Sequence, residues 1–549
     1  MSYLIAEPQI MGAVAAQVEE IGSAVSVASA TAASSTTAVA TAAADEVSAA
    51  IAQFFTAHGK EYQAVLGQVE AFHSQFHQTL AAAGNAYANA EAAIANTLQS
   101  GLGLPAAPTT PAAAAIPPFP ANLTNLIFGP TGVPLPSPAY LAAANELYLR
   151  TLNPLQAIFT PEELYPITGV RSSVLNTSVE EGLTIMHNAI LDQLAIPGNT
   201  VTVFGYSQSA IIASLEMQQL AAMGPAAPPA TDLNFVLVGN EMNPNGGMLA
   251  RFPGLTLPSL GLTFYGATPS DTIYPTAIYT REYDGFASFP QYPLNIISNL
   301  NAIAGIVFVH TGYMDLTPAQ VDAAIELPTS PGYTGVTDYY MIPTENLPLL
   351  EPLRAIPVIG NPLANLIQPN LEVIVNLGYG DPNFGYSTGP ADVQTPFGIW
   401  PDVPPQVIGD ALVAGTQEGI QDFTADVQAL LAQPITLPTF QPPQPADFAS
   451  ALAAAPTPAE VVNTLTSIIS TNYAVLLPTA DIGLALATSL PLYNTQLFAS
   501  QLAQGNLINA IGLPLAATAG LTSIAGGVEF LVLLSAAADT VSDVESLFT

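Results

Sequence analysis

Gly205-Tyr206-Ser207-Gln208-Ser209 lies between an apolar, β-branched run at residues 200–204 and a helical stretch that begins at Ser209. In that context a serine rides a tight strand-to-helix turn and presents its hydroxyl at the carboxyl edge of a sheet. Gly205 removes the Cβ that would collide in the turn, and Ser209, where a second glycine is usual, is small enough to keep helix and strand close. A serine hydroxyl needs a general base, and histidine titrates in the right range. There are five histidines. His58, His73 and His77 fall in the N-terminal helices, and His187 falls in an amphipathic helix expected at residues 179–194. His310 lies downstream of the serine, follows an apolar run at 305–309 that reads as a strand, and precedes Thr311-Gly312. It is the expected base.

Spacing determines the carboxylate that would orient His310 less well. Glu216 and Asp232 are expected to point away from the strand ends that build a site. Asp284 follows a strand at 277–280 within the turn Tyr283-Asp284-Gly285, while Asp271 and Glu241 remain alternatives. The expected oxyanion donors are the N–H groups of Gln208 and of Thr131, the latter within Gly129-Pro130-Thr131-Gly132, with the Thr131 hydroxyl as an additional donor. No HExxH or GxxxxGK[ST] pattern occurs, so neither a metal nor another cofactor is expected.

The elements that must position these residues divide the chain into parts, because 549 residues exceed one ordinary core. Residues 1–98 are Ala-rich and helically periodic, with Val47, Ile51, Phe54 and Phe55 on one face, and read as a helical hairpin whose apolar stripe needs a partner. Residues 99–120 form a Pro/Ala linker. In 121–375, strands at 123–128, 200–204, 234–238 and 277–280 alternate with helices near 140–150, 179–194 and 209–223, which predicts an α/β-hydrolase domain with a mostly parallel sheet. Residues 376–549 read as a Pro-rich and mainly helical region, with QPPQP at 441–445 as a second linker.

Six Lys+Arg against 41 Asp+Glu give a net charge of −35, which argues against nucleic acid as a partner. The absence of cysteine excludes disulfides, thiolate metal sites and a Cys nucleophile. Charged residues are scarce and mean hydropathy is positive, so a large Ala- and Pro-rich core and an association with lipid or a cell envelope are both expected readings. No basic n-region precedes Lys60, so no Sec-type signal is visible. The uncharged stretch 506–528 is long enough to span a bilayer, but it contains Pro514 and polar residues and has no basic flanks. It is expected to be a buried or interfacial helix.

The opening MSYLIAEP, ADEVSAAIAQFFTAHGKEYQ at 44–63 and AFHSQFHQTL at 71–80 resemble the N-terminal domain of mycobacterial PE proteins, with Pro8-Gln9 where the family has Pro-Glu. The resemblance implies pairing of the hairpin with a PPE-family protein and export by type VII secretion machinery to the cell wall, cell surface or medium. Tyr87 and Glu91 match the Tyr-x-x-x-Asp/Glu secretion signal. The GYSQ elbow, LVGNEMNPNGGMLARFPG at 237–254, YDGFASFPQYPLN at 283–295 and HTGY at 310–313 resemble the PE-PPE domain, a cutinase-like serine α/β hydrolase. The resemblance implies a triad of Ser207, Asp284 and His310 and an esterase or lipase acting on short- to medium-chain acyl esters. The alternatives are an acyltransferase with a glycolipid or trehalose-type acceptor, and a non-catalytic surface protein.

Overall fold

The chain divides into two compact units, Met1–Ile116 and Pro117–Thr549. The computed structural model describes residues 123–432 and 458–546, with single positions between 33 and 60. Apart from those positions, the hairpin expected at 1–98, including Tyr87 and Glu91, lies outside the described residues, as do the linkers at 99–120 and 441–445.

Strands β1 (Leu123–Ile127), β2 (Leu155–Ala157), β3 (Thr200–Tyr206), β4 (Leu233–Val238), β7 (Thr276–Arg281), β8 (Ile325–Glu326) and β9 (Thr337–Ile342) form one sheet. Its order is β2-β1-β3-β4-β7-β9-β8, parallel throughout except that β8 runs antiparallel to β9. A separate ribbon pairs β5 (Thr256–Leu257) with β6 (Leu262–Thr263). β3 is central and buried on both faces, as suits its Thr/Val/Phe-rich sequence. Because successive side chains alternate, Leu126, Val203, Leu237 and Met341 enter one core while Ile127, Phe204, Val238 and Ile342 enter the opposite one. The mostly parallel α/β sheet read from the sequence is therefore the architecture of this unit.

The longer helices are α1 (Leu175–Leu194), α2 (Gln208–Met223), α3 (Ile296–Phe308), α4 (Gly360–Asn376), α5 (Pro405–Ala432), α6 (Pro458–Ala474), α7 (Leu476–Ala487), α8 (Ser489–Ala503) and α9 (Leu507–Glu545). One of them corrects the sequence reading. The run 305–309, expected as a strand, is the end of α3 and its cap. Five apolar residues carry no period that separates strand from helix, and the decision comes from upstream, where the Asn295 side chain caps the helix by accepting from Ser298 N at 3.2 Å. The Pro-rich sequence beyond 375 contains the regular 28-residue helix α5. Its buried face is built from Gly415 and Gly419, where added Cβ atoms would meet Asn370 Oδ1 at 2.7 Å and Leu366 O at 2.2 Å of α4. A contact stripe of small residues leaves little hydrophobic periodicity to read.

Residues 506–528 fall within α9, whose Gly520 lies against Phe252 and Pro293 and whose Gly527 lies against Ile303 of α3. Ala516, Ala517, Ile524 and Val532 of α9 and Ile482 of α7 join the sheet's larger core. The opposite side of α9 leaves Ile508, Ile511, Leu515, Phe530 and Leu533 exposed. By length and composition alone, Val462–Ala503 and Leu507–Glu545 are each apolar enough to cross a membrane.

The packing of α3 fixes the turn that carries Asp284. A Cβ on Gly305 would lie 1.8 Å from Tyr283 O, and one on Gly285 would lie 1.9 Å from Ala302 O. Gly305→Ala must push the helix off the turn. It is expected to lower the unfolding free energy by about 2–3 kcal/mol, measured by urea denaturation, as overpacking against rigid backbone does.

Candidate active site

Adjacent parallel strands deliver the site from their carboxyl ends: Ser207 follows β3, Glu241 follows β4 and Asp284 follows β7. Ser207 has φ 57° and ψ −122°, a strained conformation for a residue with a Cβ. The neighbouring residues hold it there. A Cβ on Gly205 would come 2.8 Å from Ser209 O, so strand and helix meet only over glycine. Ser209 does more than stay small, because its Oγ accepts from Tyr206 N at 2.8 Å and donates to Tyr206 O at 3.1 Å, tying the turn together.

His310 opens the short 3₁₀ segment His310–Asp315 directly after α3, rather than leaving a strand end. Its Nε2 lies 2.8 Å from Ser207 Oγ, and its Nδ1 lies 2.9 Å from each oxygen of Asp284. The Tyr206 hydroxyl donates to His310 O, and the Phe286 ring meets the imidazole edge-on at 4.8 Å. Gly239, at φ 58°, leaves room for the ring, since a Cβ there would lie 3.2 Å from His310 Cε1.

Asp284 is fully buried and accepts from four donors. Besides His310 Nδ1 they are Tyr313 OH at 2.8 Å, Phe286 N at 3.0 Å and Ala287 N at 3.2 Å. Burial alone would raise its pKa, but the charge of His310 and the hydrogen bonds from His310, Tyr313 and Ala287 outweigh it and hold the carboxyl below its ordinary range. For His310, burial opposes the imidazolium, yet Asp284 reverses the balance and raises its pKa above the ordinary value.

Gln208 begins α2, and neither its N–H nor that of Thr131 donates a hydrogen bond within the described residues. The Thr131 hydroxyl donates to Gln208 Oε1 at 2.8 Å, and Gln208 Nε2 donates to Ser178 Oγ at 2.6 Å. The hydroxyl is therefore engaged in bracing the loop against α2 instead of standing free as an additional donor. Two backbone N–H groups, one at a helix N-terminus, are left without an acceptor among the described residues.

Residues 4–94 match the PE family and residues 153–380 match the PE-PPE domain. PE family protein PE3 of Mycobacterium tuberculosis is 46% identical over 426 residues, which cover 77% of this chain and 88% of that protein. The chain belongs to the PE family. From the same organism, Esterase PE16 is 45% identical over 430 residues, 75% of this chain and 77% of that protein. The uncharacterised PPE-family protein PPE28 is 49% identical over 457 residues, 78% of this chain and 68% of that protein.

In this PE protein β1 and Thr131 precede the matched PE-PPE span, although β1 pairs with central β3. The remaining carboxylates separate clearly. Asp271 is exposed on a loop. Glu282 accepts from Gly385 N at 2.8 Å and Thr344 N at 3.2 Å, anchoring two loops. Glu216 pairs with His187 at 2.8 Å between α1 and α2, away from the site.

Glu241, one of the alternatives to Asp284, does enter the site, but against the serine. Ser207 Oγ donates to its Oε1 at 3.0 Å, Oε1 lies 3.9 Å from His310 Nε2, and Oε2 is buried without a partner. Burial pushes its carboxyl up to about 7. Glu162, which sequence reasoning missed, is buried at φ 48° and accepts from Thr160 Oγ1 at 2.7 Å, with burial raising it to about 8. No local signal marks Glu162, since the acid pair Glu162-Glu163 after Pro161 reads as a loop.

A cavity of about 890 Å³ lined by Arg251, Tyr292, Trp400, Tyr493 and Ile508 includes none of Ser207, Glu241, Asp284 or His310. The Arg251 guanidinium beside it donates to the carbonyls of Phe289 and Thr395. Among the described residues no cluster of three or more His, Asp or Glu is arranged to hold a metal ion.

Proposed function

We propose that this PE protein hydrolyses carboxylic esters of short to medium acyl chain through an acyl-enzyme on Ser207. The observation that carries the reading is the unbroken relay from Ser207 Oγ to His310 Nε2 at 2.8 Å and from His310 Nδ1 to Asp284 at 2.9 Å. A relative named as an esterase, 45% identical over three quarters of the chain, supports it.

Asp284 stays ionised and fixes the tautomer with the proton on Nδ1, so Nε2 accepts the serine proton as Oγ attacks the ester carbonyl. The N–H groups of Gln208 and Thr131 stabilise the resulting oxyanion. His310 then returns the proton to the departing alcohol oxygen, which leaves an acyl ester on Ser207 and a neutral imidazole. Water, deprotonated by the same nitrogen, releases the carboxylic acid and regenerates Ser207. Family membership supports a cell-envelope or secreted site of action, reached by type VII export, and pairing of residues 1–98 with a PPE-family protein. The exposed apolar residues Leu492, Phe498 and Leu502 of α8 and Ile508, Ile511 and Leu515 of α9 support lipid-ester substrates.

The test is labelling by a fluorophosphonate, which reacts only with an activated serine. Purified protein is expected to be labelled at Ser207, as read by peptide mass spectrometry. No labelling under conditions that modify a control esterase returns the fold to a non-catalytic surface role.

A further inference from the structure

The hydrogen-bond inventory around Ser207 is incompatible with an ionised Glu241 in the working enzyme. Ser207 Oγ–H is one donor facing two acceptors, His310 Nε2 at 2.8 Å and Glu241 Oε1 at 3.0 Å. Asp284, ionised and holding Nδ1–H, makes Nε2 an acceptor whenever the imidazole is neutral. A carboxylate at Glu241 would then draw the serine proton away from its base and place a negative charge beside the oxygen that becomes part of an anionic intermediate. It would also leave Oε2 as a buried, partnerless anionic oxygen. A proton on Glu241 removes all three conflicts. The chain then runs Glu241 O–H to Ser207 Oγ, Ser207 O–H to His310 Nε2, and His310 Nδ1–H to Asp284, and Oε2 is left as a neutral carbonyl oxygen rather than an anionic one.

We propose that Glu241 is a further catalytic residue of the ester-hydrolase reaction, active as the neutral acid that donates a hydrogen bond to Ser207 Oγ. The proposal rests on the hydrolase reading above and deepens it. No bond to Glu241 is made or broken. Its proton stays in place while His310 carries out both transfers, and its donation to Oγ stabilises the serine oxygen as leaving group when water attacks the acyl-enzyme.

The balance of the surroundings favours this state. Burial, Glu162 from the loop after β2, Asp284 from the loop after β7 and the Tyr206 hydroxyl from β3 disfavour a second negative charge, and together they outweigh His310 and the hydrogen bonds from Ser207 and from the Glu241 backbone N–H, which favour it. The same single proton can instead sit on His310, giving imidazolium, serine and carboxylate. That tautomer also keeps the relay hydrogen-bonded from Glu241 to Asp284, but it has no base. The titration therefore belongs to the pair, and turnover needs one proton shared between Glu241 and His310 and residing on Glu241. Below the range of the pair both are protonated, and above it neither is.

The test compares pH–rate profiles from about pH 5 to about pH 10 for wild type and Glu241→Gln, using a short-chain nitrophenyl ester together with the rate of fluorophosphonate labelling. The amide of glutamine donates as the neutral acid does but cannot ionise. Wild type is expected to give a bell whose descending limb starts near neutrality and falls ~100-fold by about pH 9, one decade per pH unit. Glu241→Gln is expected to be slower than wild type at about pH 6, to lack the descending limb, and to exceed wild type by ~10-fold or more at about pH 9. A wild-type rate that climbs to a plateau through about pH 9, a variant with an unaltered descending limb, or a folded variant that is inactive throughout overturns the proposal. Should Glu241→Gln not fold, the wild-type labelling profile decides by itself. Wild type that is neither labelled nor active at any pH overturns the hydrolase reading together with this one, whereas labelled wild type with a plateau overturns only the role of Glu241.

Discussion

Ser207→Ala is expected to lower ester turnover by ~10³-fold or more while the protein keeps its fold, since the nucleophile is removed and the oxyanion donors remain. Ser207 is 6% exposed, and its hydroxyl makes two side-chain hydrogen bonds, to His310 and Glu241. Of those partners His310 stays held by Asp284, while Glu241 loses its side-chain hydrogen bond and is neutral when protonated, and Gly205 and Ser209 still form the turn. Alanine also tolerates the φ of 57° no worse than serine does. The unfolding free energy should change by less than about 1 kcal/mol in urea denaturation, because no cavity larger than one oxygen is made. Measuring both quantities matters: an inactive variant that has also unfolded says nothing of the nucleophile, and a folded variant with retained turnover places the chemistry at another residue.

What could be read in advance divides along the range of the interactions. The turn around Ser207 is set by residues within a few positions of it, and Gly205, β3 and α2 follow from local pattern. His310 was reachable because four other histidines could be assigned elsewhere, yet its element was misread, since the apolar run before it is helical only by virtue of a cap ten residues and more upstream. Strand β9 is absent from the strands expected, although Thr337, Tyr339 and Met341 alternate inward, because its flanks lack the helix pattern that marked the other strands. The contact between Glu241 and Ser207 is of a different kind. It exists because β3 and β4 are neighbours in register, Tyr206 opposite Val238, so that the residues just past both strands share one edge. Nothing near position 241 in the chain reports that. Likewise, α5 shows little hydrophobic periodicity within a region expected to be mainly helical, because glycines rather than large apolar side chains form its contact with α4. The structure brings Ser207, His310 and Asp284 into one relay, and it places Glu241 at the serine end where the sequence reading had it compete for the histidine end.

That distinction makes Asp284→Asn the second large expected effect, a loss of ~10⁴-fold in kcat/KM with little change in fold, as for the removal of an orienting carboxylate that leaves geometry intact. Asp284 Oδ1 receives Phe286 N and Ala287 N, and Oδ2 receives Tyr313 OH, while His310 Nδ1 reaches both oxygens. An asparagine can satisfy the two backbone donors only by placing its carbonyl oxygen at Oδ1. Its NH₂ group then faces Tyr313 OH and His310 Nδ1, two former donors. The imidazole answers by moving its proton to Nε2, which leaves Nδ1 free to accept from the amide. Nε2 then points a proton at Ser207 Oγ and can no longer take one. Glu241 sharpens the outcome, because in this tautomer Ser207 has an acceptor only in an ionised Glu241, and giving up that proton stabilises the alternative hydrogen-bond pattern. Steady-state kinetics separates this from a binding defect: KM should move by less than about threefold while kcat carries the loss, since the ester contacts neither Asp284 nor the tyrosine behind it. The loss should also shrink toward alkaline pH, where hydroxide can substitute for the missing base in attacking the carbonyl. A kcat within tenfold of wild type at about pH 7 would show that His310 keeps its tautomer without Asp284, and the search for the orienting group would pass to the residues around its ring.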